Sequence, residues 1–170
     1  MEEQHIDFLN EVIETRDRTI EIPKVINSEI VERITTSELA QLLMDFSFSG
    51  GLIDLDNDAS VFTVDIGYAN AIFFSNRDWN AKNASDFFGV IATVPSSFDT
   101  NFIALFNQNT KIGRLYNAEG TDAAIYRLDV HLAGGVTHRN IFYVVKTFID
   151  IYNKLFFEIS EGTEQHVKKS

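Results

Sequence analysis

The run Ala124-Ile125-Tyr126-Arg127-Leu128-Asp129-Val130-His131-Leu132, with the Ala133-Gly134-Gly135-Val136-Thr137 that follows it, decides the fold. Tyr126, Leu128, Val130 and Leu132 recur at every second position, and Arg127, Asp129 and His131 fill the places between. Successive side chains of a strand point to opposite faces, so this pattern predicts a strand with one buried and one wet face. Half-wet strands belong to antiparallel sheets, because parallel sheets are covered on both sides. Gly134-Gly135 predicts a tight reversal, and Thr137 is placed to cap the helix after it.

That helix is read from Thr137 to about Phe157. Ile141, Val145, Phe148, Tyr152 and Leu155 form one apolar line, and Phe142, Ile149 and Phe156 a second. Ten of the fifteen positions from Ile141 to Leu155 are apolar, whereas a surface helix needs about three in seven. The excess predicts two buried flanks, one on the sheet and one on the N-terminal arm or a second subunit. Phe142, Val145, Phe148, Ile149, Tyr152 and Phe156 are therefore the candidate partner-binding residues.

Upstream, Ile112 to Asn117 reads as a strand leading into a turn at Glu119-Gly120. Ser97 is placed to cap a helix carrying Phe98, Phe102, Leu105 and Phe106. Val61 to Ile66, Asn70 to Ser75 and Asp86 to Val94 read as strands, and Leu52 to Leu55 as a short extra one before the turn Asp56-Asn57-Asp58. Thr35 and Glu38 make a capping box for a helix with Leu39, Leu42, Leu43 and Phe46 on one stripe, ended by Gly50-Gly51. Residues 4–15 fit a short amphipathic helix, and Pro23 breaks the arm behind it. The expected order is α-β-β-β-α-β-β-α, an α+β domain over 34–160 with about five antiparallel strands. An N-terminal helix and extended arm occupy 1–33, and a flexible tail 161–170.

Composition narrows the function. The chain has 170 residues, 45% of them apolar and fifteen of them Phe, which suits one globular domain. It has no cysteine, which removes disulfides, zinc thiolates and thiol catalysis. A net charge of −11 repels phosphate backbones and anionic membrane surfaces, so nucleic-acid binding is not expected, and no apolar run approaches the ~20 residues that span a bilayer, so neither is membrane insertion. Met1-Glu2-Glu3-Gln4 lacks the basic start of a secretory signal, which predicts a cytoplasmic protein.

The segment from Ile112 to Ile159 carries a resemblance. Arg114-Leu115-Tyr116-Asn117, a short turn, Arg127 to Leu132, Gly134-Gly135-Val136-Thr137 and an apolar helix ending in Phe156-Phe157 resemble the YbjN family of candidate bacterial sensory transduction regulators. Asn107 and Asn109 stand where that family carries paired asparagines. The resemblance spans about Thr35 to Ile159. It implies an α/β sandwich like that of type III secretion chaperones. It also implies a non-enzymatic adaptor or chaperone-like role with a protein partner, a homodimer among the forms it allows. It supplies no catalytic residue, metal or cofactor.

Other constellations have plainer readings. Asp54, Asp56 and Asp58 begin a calcium-loop pattern, but Ala59 stands where the turn needs glycine, so the reading is an acidic hairpin turn. Arg127, Asp129 and His131 share a wet strand face, with no nucleophile marked beside the His–Asp pair. Gly134, Gly135, His138 and Arg139 surround a helix N-terminus, the place where free N–H groups attract anions, and form a candidate anion site for a small-molecule sensor. Trp79 sits in a polar loop and is read as folded onto the sheet.

Overall fold

A computed structural model describes residues 29–45, 48, 50–54, 60–75 and 83–167. The N-terminal helix, the turn at 56–58 and the Trp79 loop lie outside the described residues. The elements are β1 (Ile30–Val31), α1 (Thr36–Asp45), β2 (Gly50–Asp54), β3 (Ser60–Asp65), β4 (Asn70–Phe74), β5 (Phe87–Val94), α2 (Thr100–Asn109), β6 (Arg114–Asn117), β7 (Ala124–His131), β8 (Val136–Thr137) and α3 (His138–Val167). The α+β architecture is the expected one. Strands β2 to β7 form one antiparallel sheet in the order β2-β3-β4-β5-β7-β6, and β1 pairs with β8 apart from it.

Three expectations change. The sheet has six strands, because the short segment before the acidic turn pairs with β3 from Gly50 to Asp54. Helix α2 is capped by Asp99, whose side chain accepts from the Phe102 N–H at 2.9 Å, and not by Ser97. Helix α3 continues to Val167, through most of the segment read as a tail. The end of the N-terminal arm lies against the main domain, with Ile30 opposite Thr137, and Ile34 is bridged to Ser85.

The capping box is present as read. Thr35 N–H donates to Glu38 Oε2 at 2.8 Å, and Glu38 N–H donates to Thr35 Oγ1 at 3.1 Å, so each residue satisfies a donor the helix leaves unpaired. Thr137 caps α3 by accepting from the Asn140 N–H at 3.2 Å.

The three described helices pack on one face of the sheet. From α1, Leu39, Leu42 and Leu43 join Phe62, Val64 and Phe73 in the core, and the buried Thr36 hydroxyl lies 2.9 Å from that of Ser75. From α2, Phe106 meets the Tyr126 ring edge-on at 5.7 Å. From α3, Phe148 stacks on Tyr126 at 4.5 Å, with ring planes 2° apart. Tyr126 is thus the point where both helices and the sheet converge. Its hydroxyl donates to the Ile112 carbonyl at 2.5 Å. Gly113 lies against the same ring: its φ is +76°, and a Cβ there would come within 2.6 Å of the tyrosine. Only glycine meets both demands.

The β6 edge of the sheet is closed by a side chain. Asn107 of α2 accepts from the Leu115 N–H and donates to the Leu115 carbonyl, both at 2.8 Å. The carboxamide imitates a neighbouring strand, and it occupies backbone groups that an edge would otherwise offer to another chain.

Two buried phenols make the fold sensitive to alkali. Burial raises the pKa of Tyr126, against a smaller opposing effect of Arg114, and burial also raises that of Tyr152, whose hydroxyl donates to the Thr93 carbonyl at 2.7 Å. In the unfolded chain both ionise near pH 10. The unfolded state therefore loses protons first as pH rises, and the stabilisation present below about pH 10 declines above it, by up to ~1.4 kcal/mol per pH unit for each tyrosine. Urea unfolding at pH 9 and pH 11 is expected to show the loss, with a shallower fall in Tyr152→Phe.

Candidate functional site

With the helices on one side, the opposite face of the sheet carries the side chains that do not enter the core. Register places Thr63, Ile72, Ile91, Arg127 and Arg114 in one row across β3, β4, β5, β7 and β6. Beside it run Phe74, Gly89 and Asp129 on one flank and Thr93, Ile125 and Tyr116 on the other. Ile72 is 36% exposed and Tyr116 40%, while Ile91 and Ile125 are half-buried. The row is apolar at Ile72 and Ile91 and cationic at Arg127 and Arg114.

Phe74 organises the middle. Its ring lies across Gly89 of the next strand, where an added Cβ would meet it at 2.3 Å. The Phe87 ring is 6.0 Å away, and the Arg127 guanidinium sits 5.9 Å from the Phe74 centroid. Aromatic cover of a neighbouring glycine is a known means of pinning strand register.

Asp129 faces two neighbours and engages one. It accepts from Arg127 Nε at 3.0 and 3.1 Å and from Nη2 at 3.0 Å. That hydrogen bond is the largest cause holding the Arg127 pKa above its ordinary value, with Tyr116 adding to it. The His131 ring instead lies 5.7 Å from the Phe87 ring. The three polar residues of β7 thus form an ion pair and an aromatic contact. Among the described residues no group of three His, Asp or Glu is placed to hold a metal.

The candidate partner-binding residues of α3 do not form a surface. Phe142, Val145, Phe148, Ile149 and Tyr152 are buried in the core. Phe156 is half-buried, stacked on Tyr68 at 4.8 Å. This corrects the expectation of an interface there: Tyr126 and the Thr93 carbonyl of the sheet meet Phe148 and Tyr152, and Phe48 and Tyr68 lie against Phe142 and Phe156.

The candidate anion site is also differently built. Gly134 and Gly135 take φ values of +87° and +88°, which makes the turn, and the Ile30 side chain lies where a Cβ on Gly135 would be. The His138 N–H donates to the Glu29 carbonyl at 3.2 Å, and the Asn140 N–H is taken by Thr137. Two of the first-turn donors that would meet an anion already have acceptors from the chain itself.

The cationic end of the outer face was not singled out from the sequence. Lys111, Arg114, Tyr116, Arg127 and Asp129 line an open cleft of about 540 Å³ there. The alternation in β7 shows Arg127 facing water, but only the β6–β7 register brings Arg114 opposite it.

These features define the class: an α/β sandwich with the described helices on one face and a mixed apolar and cationic sheet surface on the other. No family profile matches the chain, and no curated protein matches it. Among solved structures it is similar to the crystal structure of YbjN from E. coli, with a TM-score of 0.53 and 10% identity, covering 81% of this chain and 97% of that one. At that identity the likeness is one of fold. It agrees in architecture with the resemblance read from residues 112–159. No described helix is long and apolar enough to cross a membrane.

Proposed function

We propose that this protein is a non-enzymatic, protein-binding regulator or chaperone-like adaptor of the cytoplasm that receives its partner on the helix-free face of the sheet. The observation that carries the reading is the exposure of Ile72 beside Ile91 on a face that no described helix covers. Apolar side chains paired across strands on a flat surface gain by leaving water, and they do so by meeting another protein surface. The YbjN structure with the same fold is described as that of a candidate transcription regulator, which accords with a regulatory role. The partner to test first is a second copy, since a flat apolar patch can match itself across a twofold axis.

Ile72→Lys leaves the core untouched and places a charge in the centre of the patch. Sedimentation and native mass spectrometry of the full chain are expected to show a dimer, or a complex of defined mass, that this variant dissociates without loss of folded signal. A wild-type protein that stays monomeric and bare at high concentration counts against the reading.

A further inference from the structure

The cleft at the β6–β7 end joins three cations in a chain whose net charge is −11. Arg114 and Arg127 are direct cross-strand partners on the outer face. Like charges placed opposite one another in a sheet are destabilising, and the chain compensates one of the two: Asp129 pairs with Arg127. Among the described residues the Arg114 guanidinium has no carboxylate partner. It donates through Nη1 to two backbone carbonyls, Thr110 at 3.0 Å and Gly113 at 2.6 Å. These contacts fix the guanidinium beside the cleft and leave its charge unneutralised. Among the described residues Lys111 has no hydrogen bond or ion pair, and it is exposed. With Asp129 counted against Arg127, the lining carries two uncompensated positive charges, and the Tyr116 phenol stands among them.

We infer that this cleft is a binding site for a small dianionic phosphate, such as a phosphate monoester. Two surplus positive charges match a dianion. Guanidinium groups supply the forked donors that suit tetrahedral and planar oxyanions, and a lysine adds a point charge. The volume falls within the ~300–1,000 Å³ of small-ligand sites. The exposed Tyr116 ring offers a flat apolar surface for the remainder of an ester. The inference does not depend on the protein-binding reading, since it uses the β6–β7 end of the face and not Ile72. It also moves the anion site away from Gly134, Gly135, His138 and Arg139, whose turn the chain's own segment at 29–30 packs against.

The test is a titration of the full chain, labelled with nitrogen-15, with inorganic phosphate, with glycerol phosphate and with succinate. The Nε–Hε signals of Arg114 and Arg127 report on the cleft, and the backbone signals of His138 and Arg139 report on the helix end. Phosphate is expected to shift the two arginine signals along a saturating curve. Glycerol phosphate should bind at least as tightly, and succinate more weakly. Lys111→Gln removes a side chain with no partner, so it retains the fold, and it is expected to weaken phosphate by about tenfold. Arg114→Gln is expected to abolish saturation. A linear response that is the same in wild type and both variants would show a general salt effect and overturn the site. So would saturation at His138 and Arg139 with the cleft signals unmoved. Equal affinity for succinate would overturn the assignment to phosphate.

Discussion

Phe148→Ala is expected to destabilise the protein by about 4 kcal/mol, as for other buried phenylalanines cut back to alanine. The ring is fully buried and stacked at 4.5 Å on Tyr126, which in turn meets Phe106. Removing it leaves a cavity walled by rings that cannot collapse into it, because Tyr126 is held by the Ile112 carbonyl and by the strand beneath it. Phe148→Leu should recover much of the loss. A double-mutant cycle with Tyr126→Leu should give a coupling of about 1 kcal/mol for the stacked pair. Phe148→Asp should not fold, because it would bury a carboxylate with no partner. The measurement is urea unfolding followed by far-ultraviolet circular dichroism. A Phe148→Asp protein that folds normally and fails only to assemble would return α3 to the role of an interface.

Asn107→Ala is expected to cost about 2–3 kcal/mol, because it removes two hydrogen bonds from the backbone of a buried edge residue and leaves both Leu115 groups without their partner. Asn107→Asp should be at least as damaging. It retains an acceptor for the Leu115 N–H but turns a second oxygen toward the Leu115 carbonyl. Hydrogen exchange at the Leu115 amide should accelerate in both variants while the amides of β5 hold. Because Asn107 also closes the edge of the sheet, Asn107→Ala should associate through β6 more readily than the wild type, which light scattering would register. Unchanged exchange at Leu115 would mean that the carboxamide does not secure the strand.

Much of this fold can be read along the chain. The alternation from Tyr126 to Leu132 and the Thr35–Glu38 capping box are local patterns whose physical causes lie within a few residues. Both appear as read. What sequence does not disclose is which elements converge. Ten apolar positions among fifteen in α3 are compatible with an exposed interface and with burial on two flanks. The difference depends on what covers the second flank, and the rings set against Phe142 and Phe156 are Phe48 and Tyr68, from segments far away in sequence. The pairing of β5 with β7 joins strands separated by α2 and β6, and no local pattern announces it.

The functional surface was harder to read for the same reason. Arg127 and Asp129 are legible as wet residues, but Arg114, Lys111 and Ile72 acquire meaning only from their neighbours across strands. Asn107 shows the converse. The resemblance directs attention to the asparagines before β6, and the structure supplies the physical reason for one of them. Asn109 instead donates to the Leu105 carbonyl within its own helix.

The order in which the chain leaves the ribosome matters for a protein built this way. Strands β2 to β5 are consecutive neighbours and can zip together early, since each closes only a short loop. Helix α1 can cover Phe62 and Phe73 at once, but the inner face of β5, at Phe88 and Val90, awaits helices made later, with Tyr152 of α3 reaching the Thr93 carbonyl of that strand. Until α3 has been synthesised the nascent sheet is a sticky half-molecule, a natural target for general chaperones. A ribosome that stalls before residue 138, or a message cut short there, would release a product prone to aggregate rather than a smaller working domain.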